Sequence, residues 1–199
     1  MQARSEAMAR PPELACERLR LVPFAEEHLS ERYVGWLNDA EVVRYSEQRH
    51  RRHSPESCRA YWRSFEDTPN LFWAIVARDP GLGHIGNLSV YVDEPNLVAD
   101  VTILIGEKRA WNRGLGSEAW SAVCDYLLAA GGMRKVSAGT LAENAGMLGI
   151  MRRAGMVEDG RRVRHYLLED REVDVVHLAL FRSIQQGHRH APDLEKVRT

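Results

Sequence analysis

Between Val101 and Tyr126 the chain passes from an apolar strand-like run, Val101–Ile105, through a basic loop with glycines, Lys108–Gly116, into a helix. The helix shows itself in Trp120, Val123, Cys124, Leu127 and Leu128, which recur at helical spacing on one face. Strand, glycine loop and helix N-terminus together make a cradle for an anion. Glycine lets the backbone approach a ligand closely, and the first amides of a helix have no internal partner. The helix dipole adds positive potential at the same point. Residues 111–117 are therefore expected to bind a phosphate or pyrophosphate. Taken alone, Gly114-Leu115-Gly116 would serve equally as an ordinary helix start.

Few function classes survive the composition. A chain of 199 residues suffices for one domain with a substantial core. A net charge of −1 argues against whole-surface attraction to nucleic acid or membrane. No apolar run reaches the roughly 20 residues that span a bilayer, and Met1–Glu17 lacks an apolar signal core. Cys16, Cys58 and Cys124 have no metal-ligand spacing. That suits a reduced, cytoplasmic protein without disulfides or a bound metal.

The remaining elements follow in order. Residues 1–16 are expected to be a mobile tail and 184–199 a polar one, flanking one domain at 17–183. Arg18–Phe24 is a first strand and Ala25–Asn38 a helix with Leu29, Tyr33, Trp36 and Leu37 on one face. Arg44–His53, with four arginines and two histidines, is a loop. Ser54-Pro55 opens a second helix as N-cap and first-turn proline. Leu71–Ala77, His84–Val92 and Val98–Ile105 form an antiparallel meander. The helix of the opening stretch stops at Gly131-Gly132. Lys135–Thr140 is a strand and Asn144–Ala154 a helix. Met156–Leu168 and Val173–Phe181 close the domain as a hairpin. The order β-α-α-β-β-β-α-β-α-β-β makes one α/β domain with a mixed sheet.

Trp111-Asn-Arg-Gly-Leu-Gly-Ser-Glu-Ala119 resembles the acetyl-CoA signature of the GNAT N-acetyltransferases, in the branch of the ribosomal-protein Nα-acetyltransferases and spermidine acetyltransferases. Other blocks agree: Glu143-Asn144 with Arg152-Arg-Ala-Gly155-Met156, Arg164-His165-Tyr166 with Val173-Asp174-Val175, and Trp36–Tyr45 on the acceptor side. The resemblance implies a mixed, mostly antiparallel sheet of about seven strands flanked by about four helices. It implies acetyl-CoA as co-substrate, no metal, and a homodimer as an allowed assembly.

It also implies roles for residues. Trp111, Asn112, Arg113, Gly114, Leu115, Gly116 and Ser117 would hold the pyrophosphate, with the Arg113 side chain as a charged helper. Thr102, Ile103, Leu104 and Ile105 would pair with pantetheine as an added strand does. Asn144 would hydrogen-bond the donor. Arg152 and Arg153 either reach the donor's 3′-phosphate or form a solvated helix face. Trp36, Glu41, Tyr45 and Arg49 are the acceptor-side candidates.

Acetyl transfer needs the amine to lose a proton, the thioester carbonyl to be polarised and the thiolate to leave. Asp100, among Val98, Val101 and Ile103, stands where relatives often carry a catalytic Glu. It is either a half-buried base with a raised pKa or a solvated strand residue. Met151 replaces the usual proton-donating Tyr and cannot serve, so the thiolate departs unassisted, through water, or with help from another group such as Ser117, His165 or Tyr166. Tyr166 and His84 are the weaker catalytic candidates, a strand histidine being more often structural. The basic Arg44–His53 loop is either a solvated surface or an acceptor-binding one. In the second case it favours an anionic amine, such as a nucleotide-linked amino sugar, over a polyamine. A protein α-amine, a non-catalytic acyl-CoA-binding module and a nucleic-acid binder are the alternatives.

Overall fold

The computed structural model describes residues 11–182. The expected tail at 184–199 and residues 1–10 lie outside the described residues. Eight strands form one sheet in the order β1-β2-β3-β4-β5-β6-β8-β7. They are β1 Leu14–Ala15, β2 Leu19–Pro23, β3 Leu71–Ala77, β4 His84–Asp93, β5 Val98–Ile105, β6 Lys135–Leu141, β7 Val157–Leu168 and β8 Arg171–Phe181. The α-helices are α1 Glu31–Leu37, α2 Pro55–Arg63, α3 Leu115–Leu128 and α4 Ala145–Arg153. Every strand pairing is antiparallel except that of β5 with β6.

The extra strand lies in what the composition marked as a tail. Leu14 and Ala15 pair with Leu21 and Arg20, and the Trp73 indole donates to the Pro12 carbonyl at 2.8 Å. The other difference lies at residues 25–38. Ala25–Asn38 is not one helix: Glu26–His28 is a 3-10 turn, and α1 starts afresh where Ser30 accepts from the Tyr33 amide. A serine cap within an apolar periodic run divides the segment.

Alternation along the strands sorts side chains to the two faces. One face, covered by α3 and α4, holds Trp73, Leu88, Val101, Trp120, Val136 and Met151 in the larger core cluster. The opposite face, covered by α1 and α2, holds Phe24, Tyr33, Trp36, Phe65, Phe72 and Leu104. Asp100 and Thr102 alternate with Val101 and Ile103, so they belong to the α1–α2 face. Ser137 and Gly139 alternate with Val136 and Ala138 and share it.

The parallel β5–β6 pairing is short. It joins Val98, Ala99 and Asp100 to Lys135, Val136 and Ser137, and then stops. Beyond it β5 continues to Ile105 against β4, and β6 to Leu141 against β8. The facing edges of Thr102–Ile105 and Gly139–Leu141 therefore have no strand between them among the described residues. Backbone amides and carbonyls left in this way can take an added strand.

Candidate active site

The end of β5 leads into the loop that the sequence singled out. Trp111 fixes its start by donating its indole N–H to the Ile105 carbonyl at 2.8 Å. Asn112 and Gly114 then take left-handed backbone angles, φ 58° and 78°. Such residues turn successive amides toward one point. Gly114 is the residue before the first turn of α3, and no side chain caps that helix. By contrast α4 is capped from within, since Asn144 Oδ1 accepts from the Met147 amide at 3.0 Å. Of the two helices on this face, α3 alone presents its first amides, Leu115 to Ser117, without a side-chain cap.

Close packing favours glycine here. A Cβ at Gly116 would stand 3.3 Å from both Ile105 Cγ1 and Ile150 Cδ1. Gly114 lies against the Arg18 guanidinium, whose Nη2 would be 3.3 Å from an added Cβ. Arg18 is tied in place: Nη1 donates to the Arg113 carbonyl at 2.8 Å and Nε to Glu118 Oε2 at 2.7 Å. An open cleft of about 660 Å³ lies over this helix start, lined by Glu17, Arg18, Asn112, Gly114, Ser117 and Arg153 among others. Arg153, at the end of α4, donates to Ser117 Oγ from Nε at 3.2 Å and Nη2 at 3.1 Å. Its cation therefore stands beside the uncapped amides. The Arg113 side chain instead turns to Asp79, at 3.5 Å. The residues present fit a pyrophosphate, with Arg153 and the Glu118-paired Arg18, rather than Arg113, as the nearby cations.

At the other end of the β5 edge lies Asp100. Its Oδ2 accepts a hydrogen bond from Ser137 Oγ at 3.0 Å, across the last rung of the β5–β6 pairing. Burial raises the Asp100 pKa above the ordinary carboxylate value, against the lowering by the Ser137 hydrogen bond and by His177. On the neighbouring strand Tyr91 pairs with Asp100, and the Tyr91 hydroxyl is 2.8 Å from that of Tyr61. Tyr61 also meets Ser89 Oγ at 2.9 Å, and burial raises its phenol pKa well above the usual value. A half-buried carboxylate thus stands beside the Ser137 hydroxyl on the α1–α2 face, one strand from the Tyr91–Tyr61 pair.

The other candidates do not join this group. His84 Nε2 lies 3.0 Å from the Gly86 carbonyl and 2.9 Å from Asn87 Oδ1. Both are acceptors, so Nε2 carries the proton. The ring is enclosed by Trp36, His28, Phe24 and Tyr33. Burial takes its pKa down to about 4, which makes it a neutral structural histidine at pH 7. Tyr166 lies beside the closing turn, paired with Val173 and with its ring tilted against that of His165. Asn144 spends its amide on α4 and, through Nδ2, on Thr140 Oγ1 at 3.1 Å.

On the acceptor side, Trp36 is buried against Gly106, where a Cβ would collide with its ring. Glu41 binds Lys108 at 2.6 Å. Tyr45 packs on Leu141, Leu168, Val173 and Val175. Arg49 donates to the Ser46 and Leu167 carbonyls, both at 2.9 Å, and pairs with Glu47 at 2.7 Å. Arg49 thus fastens the basic loop to the β7–β8 hairpin, while Arg51 and Arg52 stay exposed. Met151 is fully buried in the core.

Ser137, Tyr61, Tyr91 and His177 are the residues that sequence reasoning missed. The period-2 alternation of Lys135–Leu141 could have assigned Ser137 to a polar face, but not to Asp100. Among the described residues, no group of three or more His, Cys, Asp or Glu side chains is placed to hold a metal ion. No described helix is long and apolar enough to cross a membrane.

Comparison with known proteins bears on the family and the fold. The sequence pattern of the acetyltransferase (GNAT) domain matches residues 18–157. No curated protein matches the chain. Among solved structures, it is similar to a GNAT-family acetyltransferase from Bacillus anthracis, with TM-score 0.73, 16% identity and coverage of 86% of this chain and 99% of that one. It is similar to the spermidine N-acetyltransferase of Vibrio cholerae in complex with CoA and spermine, with TM-score 0.73, 16% identity and coverage of 83% and 96%. It is also similar to RimL, a ribosomal-protein α-N-acetyltransferase in complex with coenzyme A, with TM-score 0.74, 17% identity and coverage of 85% and 98%.

Proposed function

The chain belongs to the GNAT acetyltransferase family, and on that premise we propose that it moves the acetyl group of acetyl-CoA to the primary amine of a small anionic acceptor, such as a nucleotide-linked amino sugar. The observation that carries the catalytic reading is the position of Asp100. It stands where the β5–β6 pairing ends, on the face opposite α3 and α4. The donor's pyrophosphate sits on the uncapped amides of Leu115–Ser117 beside Arg153. Its pantetheine arm runs along the free edge of Thr102–Ile105 and brings the thioester toward Asp100. The amine approaches from the α1–α2 side.

Asp100 takes a proton from the incoming ammonium. Burial makes its carboxylate more basic than an exposed one, which suits proton abstraction near neutral pH. Ser137 holds one carboxylate oxygen and leaves the other for the amine. The two ends of the β5 edge thus fix donor and acceptor in one geometry, the source of much of the rate enhancement in a two-substrate transfer.

Support for an anionic acceptor comes from Arg51 and Arg52, exposed on a loop fastened beside the β6 end of the opening. Two guanidinium groups suit a diphosphate and repel a polyamine. A protein α-amine is the second reading, favoured by the likeness to RimL. Measuring coenzyme A release against amino-sugar nucleotides, N-terminal peptides and polyamines separates these. The highest kcat/KM is expected for an amino-sugar nucleotide. Preference for a peptide or polyamine would overturn the acceptor assignment, and donor binding without turnover on any amine would leave a binding module.

A further inference from the structure

The polar group at Asp100 extends one strand further than a base alone requires. His177 of β8 stands opposite Gly139 of β6. A Cβ at Gly139 would lie 2.9 Å from His177 Cε1 and 3.0 Å from Nδ1. The imidazole therefore occupies the space that any side chain at 139 would fill. It lies across β6, toward the edge that β5 abandons after Ser137. Alternation places it on the face of Asp100 and Ser137, since Val176 and Leu178 belong to the opposite core. Its Nε2 is buried and has no hydrogen-bond partner among the described residues. An imidazole can accept a proton and give it back, and a buried ring nitrogen without a partner is costly to leave so.

A second observation bears on the same place. Met151 is fully buried and has no proton to donate, so any proton given to the departing thiolate comes from water or from another group. A pantetheine arm that starts at the α3 amides and follows the free β5 edge ends where the β5–β6 pairing closes. Asp100, Ser137 and, over Gly139, His177 are among the polar groups at that end, with the Tyr91 and Tyr61 hydroxyls one strand away.

We propose that His177 relays a proton from the acceptor nitrogen to the departing coenzyme A sulfur, the task that Met151 cannot perform. This rests on the acetyl-transfer reading above. Asp100 first takes one proton from the ammonium. The nitrogen lone pair then forms the N–C bond, and the carbonyl π pair moves to oxygen. Neutral His177 takes a second proton from the now cationic nitrogen. Collapse restores the C=O bond and expels the C–S pair as thiolate, which receives the His177 proton. The products are the amide, the free thiol, neutral His177 and protonated Asp100, which returns its proton to solvent.

The test uses the 15N-labelled full chain, with the His177 ring signals assigned by their loss in His177→Gln. Coenzyme A and desulfo-coenzyme A, which lacks the sulfur, are added in turn. Both should shift the Gly114 and Gly116 amides alike, whereas the His177 ring nitrogens should respond strongly only to coenzyme A. A silent or equal ring response, with the loop amides moving, overturns the His177 assignment alone. Unmoved loop amides overturn the donor-site reading and this one together. In turnover with the best amine of the panel, His177→Gln and Gly139→Ala should each lower kcat about 10²-fold at unchanged KM for acetyl-CoA. Exogenous imidazole should restore activity to a folded His177→Gly protein. An unchanged kcat in His177→Gln overturns the relay.

Discussion

Acid should weaken this fold through His84, and the size of the effect follows from where the ring sits. Burial is the main cause that takes the imidazole from 6.5 to about 4, and the nearby His28 acts in the same direction. The Asn87 and Gly86 hydrogen bonds oppose it only in part. The unfolded chain therefore takes up this proton first, as the pH falls below the ordinary histidine value. Stability from His84 is fully present above that value and is lost as the pH falls toward the folded-state value. At about 1.4 kcal/mol per pH unit, the loss is about 2 kcal/mol by pH 5 and roughly 3 kcal/mol below pH 4. That is a large share of the 5–15 kcal/mol typical of a domain. His28, which burial also pushes down, adds to the same trend. The perturbation is His84→Gln, compared with wild type by urea unfolding at pH 7 and pH 5. Wild type should lose about 2 kcal/mol more than the variant between these values. Groups away from this cluster titrate alike in both proteins, so the difference reports His84 together with its coupling to His28. Equal pH dependence would refute the burial argument. kcat in His84→Gln should stay within about threefold of wild type, since loss of a true base costs 10²-fold or more.

Two changes probe the donor cradle. Gly114→Val places a β-branched residue at φ 78° and its Cβ within 3.3 Å of Arg18 Nη2. The backbone cost alone is about 1–2 kcal/mol, and coenzyme A affinity by calorimetry should fall at least tenfold; retained affinity would sink the loop assignment. Arg153→Ala removes the cation held on Ser117. A lost charge-assisted hydrogen bond is worth about 1.5–3 kcal/mol, so Kd for coenzyme A should rise roughly 10- to 100-fold with little change in melting temperature. An unchanged Kd would return Arg153 to a solvated helix end.

Local chemistry made the donor side legible. The left-handed need at Gly114, the apolar face of α3 and the strand before it are all neighbours in sequence, so their relation survives in the linear chain. The acceptor side depends on pairings that do not. Ser137 reaches Asp100 across 37 positions, and Arg49 meets the Leu167 carbonyl across 118. Nothing in the basic loop itself says that Arg49 ties it down while Arg51 and Arg52 stay exposed. Leu14–Ala15 was hidden for a related reason. A two-residue strand has no period to detect, and β2 and Trp73 supply its partners. Trp36 and His84 show the converse. Both suit a cleft by residue type, yet they pack against each other with ring centroids 5.0 Å apart, inside the α1–α2 core.

The central claim is that Asp100, at the end of the β5–β6 pairing, is the base of an acetyl transfer whose donor is held elsewhere. Asp100→Asn keeps the shape and a hydrogen-bond acceptor for Ser137, and it removes only the proton-accepting charge. The deciding measurement is kcat on the best amine of the panel alongside the Kd for coenzyme A. The account predicts a fall of 10²–10⁴ in kcat with Kd unchanged. A wild-type kcat in the variant would contradict it.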